Sequence, residues 1–239
     1  CHDGAAGSRA PAPDQLKGRT PESIIAALTG GAMRYQGLSL SGAERRAVAE
    51  FLTGTPVGTD ARVDPSIGRC LATPPMRDPA SGPSWNGWSP TLANTHFQPA
   101  SAGRLSAGDL PRLTLRWALG LPEATSAWAQ PTIAGGRLFV GTQNGSVYSL
   151  DARTGCVAWM VTAHGGVRGS VVVGPRPGAA GRYAAYFIDQ QGYAYAVDAA
   201  TGAEIWTVRV DDHPLVRLTG SPVLHRGRLY VPTSSYEEV

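Results

Sequence analysis

The apolar positions of this chain change their period near residue 85. Upstream they recur at helical spacing; downstream they fall in short β-branched and aromatic runs between turn residues. In the first part, Thr20-Pro21-Glu22 reads as a helix start, with Thr as the cap, Pro at the first helical position and Glu at the positive end. Ile24, Ile25 and Leu28 form its apolar stripe, and Gly30-Gly31 close it. Ser41-Gly42-Ala43-Glu44 is a capping box that opens a second helix, predicted to turn Ala47, Val48, Phe51 and Leu52 inward before Gly54. Two such short helices bury too little apolar surface to stand alone, so something else, such as a cofactor, is expected to hold them. Residues 55–83 are crowded with Pro, Gly, Asp and Thr and keep no period, the pattern of a linker or an extended wrap.

From Trp85 onward the pattern predicts strands at 113–119, 129–133, 137–141, 146–150, 157–161, 170–174, 183–188, 193–197, 205–209, 221–225 and 228–232. Part of this text is written twice. The run from Ser149 to Trp159 recurs from Ala196 to Trp206, so that the two tryptophans stand 47 residues apart, and Asn144-Gly145 and Tyr148 find Gln191-Gly192 and Tyr195 at the same offset. Asp-x-x-Thr-Gly makes a tight hairpin turn, and the Trp four residues later can cap one sheet against the next. Four antiparallel strands repeated at this period are the blades of a propeller. Leu113–Trp117 is expected to be an outer strand without partners of its own. About two and a half blades follow, where a ring needs roughly 4–8, so the chain is expected to be a fragment cut within a blade.

Composition sharpens this only in places. Of 239 residues, 42% are hydrophobic and 16% charged, with 30 Gly to supply turns, as in a globular chain. The net charge of +3 rests almost wholly on scattered arginines, Lys17 being the only lysine, which argues against nucleic-acid binding. No apolar run approaches the roughly 20 residues of a membrane span. Cys70 and Cys156 can pair in an oxidising compartment or stand as inert buried thiols, with the unpaired state preferred.

The line Ala-x-Asp-x-x-Thr-Gly-x-Glu-x-Trp at 196–206 resembles the docking motif of quinoprotein propellers, which bind pyrroloquinoline quinone (PQQ). Trp85-Asn86-Gly87-Trp88, Asn94-Thr95-His96-Phe97-Gln98, Gln130-Pro131, Gly155-Cys156, Gly166-Val167-Arg168 and Val231-Pro232-Thr233-Ser234-Ser235 narrow the likeness. Together they look like the polyvinyl-alcohol dehydrogenase branch of the PQQ enzymes, over essentially the whole chain. The resemblance implies a mainly β fold, a partial propeller of quinoprotein-type blades over 85–239, preceded by the C-terminal part of a cytochrome c module at 1–55 and a linker at 56–84. Cys1-His2 would then be the end of a Cys-x-x-Cys-His haem c attachment, with Met33 as the distal ligand.

The same resemblance implies a periplasmic alcohol dehydrogenase that oxidises secondary alcohols, polymeric ones included. Its cofactors would be PQQ, Ca²⁺ and haem c, and it would pass electrons to an external acceptor such as a cytochrome c or a quinone. Arg168 and Thr219 precede corresponding inner strands, and with Ser234 and Ser235 they are the expected PQQ ligands. Glu237 is the expected Ca²⁺ ligand, with Glu238 as the neighbouring register; Ser235-Tyr236 stands where the family pattern has Gly-Ala. Asp189 can face the propeller axis or cap a turn, with the cap preferred. The catalytic base is not assigned. The rival reading is a non-catalytic propeller scaffold, a periplasmic lipoprotein whose Cys1 carries the lipid and whose residues 4–16 are a tether.

Overall fold

The computed structural model describes residues 2, 10–57, 68–122, 124 and 127–235. It divides into two units, Cys1–Asp64 with Pro122–Ser126 and Pro65–Leu121 with Ala127–Val239. The first is helical: α1 (Pro13–Lys17), α2 (Pro21–Thr29), α3 (Arg34–Gly37) and α4 (Gly42–Thr53). Thr20 caps α2 by accepting the Ser23 N–H, and the Ser41/Glu44 capping box closes in both directions. Its core is Leu16, Ile24, Ile25, Leu28 and Ala49, with Met33, Val48 and Leu52 packed against it.

The inward face of α4 differs from the expectation. Ala49 is fully buried and Arg45 nearly so, whereas Ala47 is exposed and Phe51 is 87% exposed. The Arg45 Nε–H donates to the Gly37 carbonyl at 2.9 Å, and this tertiary bond rotates the helix away from the stripe that apolar spacing alone selects.

The second unit is mainly β. One four-stranded antiparallel sheet runs β1 (Thr132–Ala134), β2 (Arg137–Gly141), β3 (Ser146–Asp151) and β4 (Val157–Thr162). A second runs β5 (Val172–Pro175), β6 (Tyr183–Ile188), β7 (Tyr193–Asp198) and β8 (Glu204–Arg209). Two pairs then follow, β9 (Val216–Arg217) with β12 (Ser234–Ser235) and β10 (Val223–His225) with β11 (Arg228–Tyr230). These are two complete propeller blades and part of a third.

The repeated turn motif builds the sheets and couples them. Asp151 Oδ1 accepts from the Thr154 N–H and hydroxyl, and Asp198 Oδ1 accepts the same pair from Thr201. Gly155 and Gly202 follow at positive φ, and a Cβ on Gly202 would lie 2.9 Å from the Trp159 ring, so only glycine admits the tryptophan. The Trp159 indole N–H donates to the Ala199 carbonyl at 3.0 Å, and the Trp117 indole does the same to Ala152 at 3.2 Å. Between the sheets lies the main core, with Phe139, Val147, Trp159, Val171 and Phe187 among its buried members.

Two further expectations are corrected. Residues 113–119 pair with no described strand, in keeping with the expected lack of partners, and for that reason do not form the expected strand; the segment reaches the first sheet through Trp117. Cys70 and Cys156 are joined in a disulfide across a sequence separation of 86 residues. The pairing is prepared by backbone: Arg69 bridges Val157 in parallel, the Cys70 N–H donates to the Val157 carbonyl, and the Val157 N–H donates to Gly68. Beyond it, the Pro74 carbonyl accepts from buried Arg137, and Asp78 accepts from the Tyr183 hydroxyl at 2.5 Å. Residues 68–78 therefore lie as a wrap against both complete sheets.

Candidate functional site

Three entry loops, each leading into the first strand of its sheet, converge on one groove of about 990 Å³. They bring Trp128 before β1, Arg168-Gly169 before β5, and Thr219-Gly220-Ser221 before β10. The segment Ser84–Leu92 supplies another wall. A groove of this size suits a small organic ligand.

The sequence fixes these loops tightly. A Cβ on Gly169 would lie 2.1 Å from the Gly220 carbonyl oxygen, so the two loops touch through backbone and position 169 admits no side chain; a Cβ on Gly220 would meet the Pro232 ring instead, at 2.6 Å. The Ser170 N–H donates to Ser221 Oγ at 2.9 Å, and the Ser221 hydroxyl donates to Ser170 Oγ at 3.2 Å. The Val167 N–H is held by the Thr142 carbonyl, and Gly166 accepts from the Gln190 N–H. The wall is pinned by Asn86, whose side-chain amide acts as a backbone mimic: its Oδ1 accepts the Val173 N–H at 2.8 Å and its Nδ2 donates to the Val173 carbonyl at 2.6 Å.

Beneath the Arg168 loop sits a buried polar hub. Asp189 is fully buried and accepts four hydrogen bonds, from the Gly165, Gln191 and Tyr193 N–H groups and the Tyr195 hydroxyl. It thus caps its turn, as expected, and also ties that turn to the preceding loop. Burial, reinforced by the Asp189 carboxylate, pushes the Tyr195 phenol far above the ordinary tyrosine range, so its proton stays on the bond to Asp189. The Tyr195 oxygen in turn accepts the His164 N–H at 2.8 Å.

Of the expected site residues, Arg168 and Thr219 line the groove together. Ser234 and Ser235 do not line it; they form β12 against β9, and the Ser234 hydroxyl donates to the Arg217 carbonyl at 2.8 Å. Glu237 and Glu238 lie outside the described residues, as does Cys1. His2 is described, and its Nδ1 lies 2.8 Å from the Pro11 carbonyl. Met33 packs against the core of the helical unit, its N–H held by the Ala27 carbonyl.

Sequence reasoning missed Trp128 and the bridging role of Asn86. Trp128 carried one readable signal, its place just before an inner strand, which it shares with Arg168 and Thr219. It missed too the buried amide pair Gln143–Gln190, whose members stand at the 47-residue offset and whose side chains meet at 3.1 Å.

The donor set suits a planar polycarboxylate such as PQQ. It offers a guanidinium and a hydroxyl on one groove of suitable size. It does not by itself suit a metal: among the described residues no Asp or Glu lines the groove, and no group of three His, Cys, Asp or Glu side chains is assembled anywhere. No helix of the described residues is long and apolar enough to cross a membrane.

Comparison with known proteins agrees with this architecture. A family model, PQQ_2, described as outer membrane protein assembly factor BamB, matches residues 90–239. A polyvinylalcohol dehydrogenase of a Pseudomonas species is 38% identical over 252 aligned positions, covering 100% of this chain and 38% of the relative. A second polyvinylalcohol dehydrogenase, from Sphingopyxis sp. strain 113P3, is 35% identical over the same spans. The chain therefore corresponds to little more than a third of the length of these relatives. Among solved structures, a quinohemoprotein alcohol dehydrogenase from Pseudomonas putida HK5 superposes with a TM-score of 0.54 at 22% identity, over 69% of this chain and 26% of that one, a likeness of fold. The chain belongs to the PQQ_2 family and is similar in sequence to polyvinylalcohol dehydrogenases.

Proposed function

We propose that the protein carrying this chain is a periplasmic PQQ-dependent dehydrogenase of the polyvinyl-alcohol type, which oxidises secondary alcohols and passes the electrons through a c-type haem to an external acceptor. The observation that carries the reading is the convergence of Arg168 and Thr219, from corresponding loops of successive sheets, on one groove. The likeness in sequence to polyvinylalcohol dehydrogenases supports the substrate class. The Cys70–Cys156 disulfide supports an oxidising compartment.

When bound, PQQ supplies the hydride acceptor for the alcohol carbon. The chain's own part is binding and orientation. Arg168 forks onto a carboxylate of the planar ligand, and the Thr219 hydroxyl donates to another. Gly169, packed on the Gly220 carbonyl, holds the two donor-bearing loops together. Ser234 joins them only by turning its hydroxyl from the Arg217 carbonyl, and Ser235 lies beside it on β12. Glu237 is the proposed Ca²⁺ ligand; with no carboxylate of the described residues on the groove, no step is assigned to the metal.

In the helical unit, His2 suits an axial haem ligand. The Pro11 carbonyl can only accept, so the ring proton sits on Nδ1 and Nε2 is left to ligate. Cys1 would supply a thioether bond and Met33 the second axial ligand. The helical segment is accordingly read as the C-terminal part of a cytochrome c module, and residues 85–239 as the first blades of the propeller.

The test is a reduced-minus-oxidised visible spectrum of the intact protein, followed by addition of PQQ, Ca²⁺ and a secondary alcohol. A c-type band that is reduced only when all three are present is the expected result. No haem band and no alcohol-dependent reduction would leave a lipid-anchored scaffold as the better account. In the intact protein, Glu237→Ala is expected to abolish Ca²⁺-dependent turnover and leave the haem spectrum unchanged.

A further inference from the structure

The groove contains an aromatic side chain to which the function above gives no role. We propose that Trp128 is the positioning residue for Arg168, holding its guanidinium by the ring face so that every N–H remains free for the carboxylates of the bound ligand. The inference rests on reading this groove as the PQQ site.

The case begins with the arginines that lie over a ring. Arg34 over Tyr35 donates to the Tyr35 hydroxyl, and Arg209 over Tyr193 donates to the Asp211 carbonyl. Each of these guanidinium groups is already engaged by an oxygen. Arg168 differs: its Cζ lies 5.1 Å from the centroid of the Trp128 ring, and among the described residues it makes no hydrogen bond and no ion pair. A ring face attracts a cation through its quadrupole without accepting any of its five N–H groups. An acidic partner would have fixed the side chain equally well but would have cancelled its charge, and among the described residues no carboxylate lines the groove. The charge is thus presented to the groove and not neutralised within it.

The supports of the pair point the same way. The backbone beside Arg168 is pinned by Gly169 against the Gly220 carbonyl and by the Val167 N–H on Thr142, so what remains to be ordered is the long side chain. An arginine loses much rotamer freedom when it docks, and a stacking ring removes part of that loss in advance. Trp128 is 44% exposed, unusual for the largest side chain unless it serves a surface or a ligand, and it enters from the loop before β1 as Arg168 enters from the loop before β5. Two successive sheets thereby assemble one cationic platform.

The test is a spectroscopic titration of the intact protein with PQQ, comparing wild type, Trp128→Ala, Trp128→Phe, Arg168→Ala and the double variant Trp128→Ala/Arg168→Ala, with thermal melts alongside. Trp128→Ala is expected to weaken PQQ binding roughly three- to tenfold, the range of a partly exposed cation–ring contact, and Trp128→Phe to recover most of it. The double variant is expected to bind no more weakly than Arg168→Ala alone, because the ring acts only through the guanidinium. Unchanged affinity in Trp128→Ala, or a double loss equal to the product of the single losses, overturns the inference. Should the alanine variant melt early, Trp128→Leu keeps the apolar bulk without the ring; the same loss supports the role and wild-type affinity overturns it. A wild-type protein that binds no PQQ, or an Arg168→Ala variant that binds as wild type does, would instead overturn the PQQ reading of the groove itself.

Discussion

The two complete sheets are the same object built twice, yet they are secured differently. Both step through four antiparallel strands, and both carry a bulge at the same point of the last pairing, between Ser149 and Leu150 in one and Ala196 and Val197 in the other. Both close their last hairpin on an aspartate that grips a threonine. The first sheet is tied covalently from outside, by the wrap at 68–78 and the Cys70–Cys156 disulfide, and the tryptophan that docks on it comes from a segment with no strand. Among the described residues the second is bonded to outside segments only through side-chain hydrogen bonds, from Tyr183 to Asp78 and between Asn86 and Val173. It has more ties of its own: Trp159 arrives on β4 and is buried, Asp189 gathers four bonds under its loop, and Arg176 and Arg182 close on Asp198. A repeated turn therefore specifies a sheet, whereas single residues outside the repeat specify what it is joined to and what its entry loop presents.

The largest expected effects test that division. Trp159→Ala removes a buried indole and its bond to Ala199, and should cost roughly 3–5 kcal/mol in denaturant unfolding. Trp117→Ala removes a half-buried copy of the same device and should cost less, about 1–3 kcal/mol. Equal losses would mean that the strandless segment carries as much of the assembly as β4 does. Replacing Cys70 and Cys156 together by Ser should cost about 2–5 kcal/mol, the range for a long closed loop. Hydrogen exchange locates the loss: Val157, which the wrap holds by two backbone bonds, should open sooner, with the amides of β6 and β7 unchanged. Equal opening of both sheets would show them to be one cooperative unit.

This contrast also explains what the sequence disclosed. The sheets, their Thr-Gly turns and the docking of Trp159 were legible because a 47-residue repeat states them twice. The convergence of Arg168 and Thr219 was legible from their place before corresponding strands, although a separation of 51 residues puts them off the 47-residue register. Residues 113–119 were read as a strand without partners; the absence of partners holds among the described residues, and without one β propensity alone makes no strand. The face of α4 was misassigned because the Arg45 bond to Gly37 is tertiary and leaves no trace in apolar spacing. The disulfide was open to either reading because its two halves are 86 residues apart and nothing local to either marks the other. Trp128 was passed over because an aromatic before a strand usually belongs to a core; only its neighbour Arg168 shows otherwise. Glu237 and Cys1 belong to the sequence reading alone, outside the described residues.

A smaller effect is expected at the hub of the second sheet. Asp189→Asn keeps the shape of the side chain, but its amide nitrogen must face N–H donors and cannot accept from them. A loss of about 1–3 kcal/mol is expected, the cost of leaving buried donors unmet. Thr142, which stands at the corresponding corner of the first sheet, bonds the Ser146 carbonyl and Asn144 locally. Thr142→Val should therefore cost less than Asp189→Asn, and the opposite order would break the contrast between the sheets.

The smallest effect separates the two capping aspartates by their acid response. For Asp151 and Asp198 alike, burial acts to raise the carboxyl pKa and hydrogen bonds outweigh it, so both lie below the ordinary value of 3.8. At Asp151 those bonds come chiefly from Thr154, whereas at Asp198 the bond from the Arg182 guanidinium, 2.8 Å away, leads and Thr201 follows. A carboxyl depressed in the folded state contributes stability that is fully present above its unfolded value and disappears as the pH falls through its folded value. Both sheets should thus weaken only below about pH 4. Arg182 has a side chain that is 57% exposed, so Arg182→Ala should cost only a small amount of stability at neutral pH and moderate salt, and that difference should vanish once acid protonates Asp198. The matching signature is in the titration, where Asp198 moves upward toward the ordinary value and Asp151 stays in place. Carboxyl carbon shifts followed by NMR from pH 6 to pH 2 measure both at once. If Asp151 moved with Asp198, the two caps would be coupled through the sheets; if neither moved, Thr201 and burial alone would set the second cap, and the two repeats would be electrostatically alike.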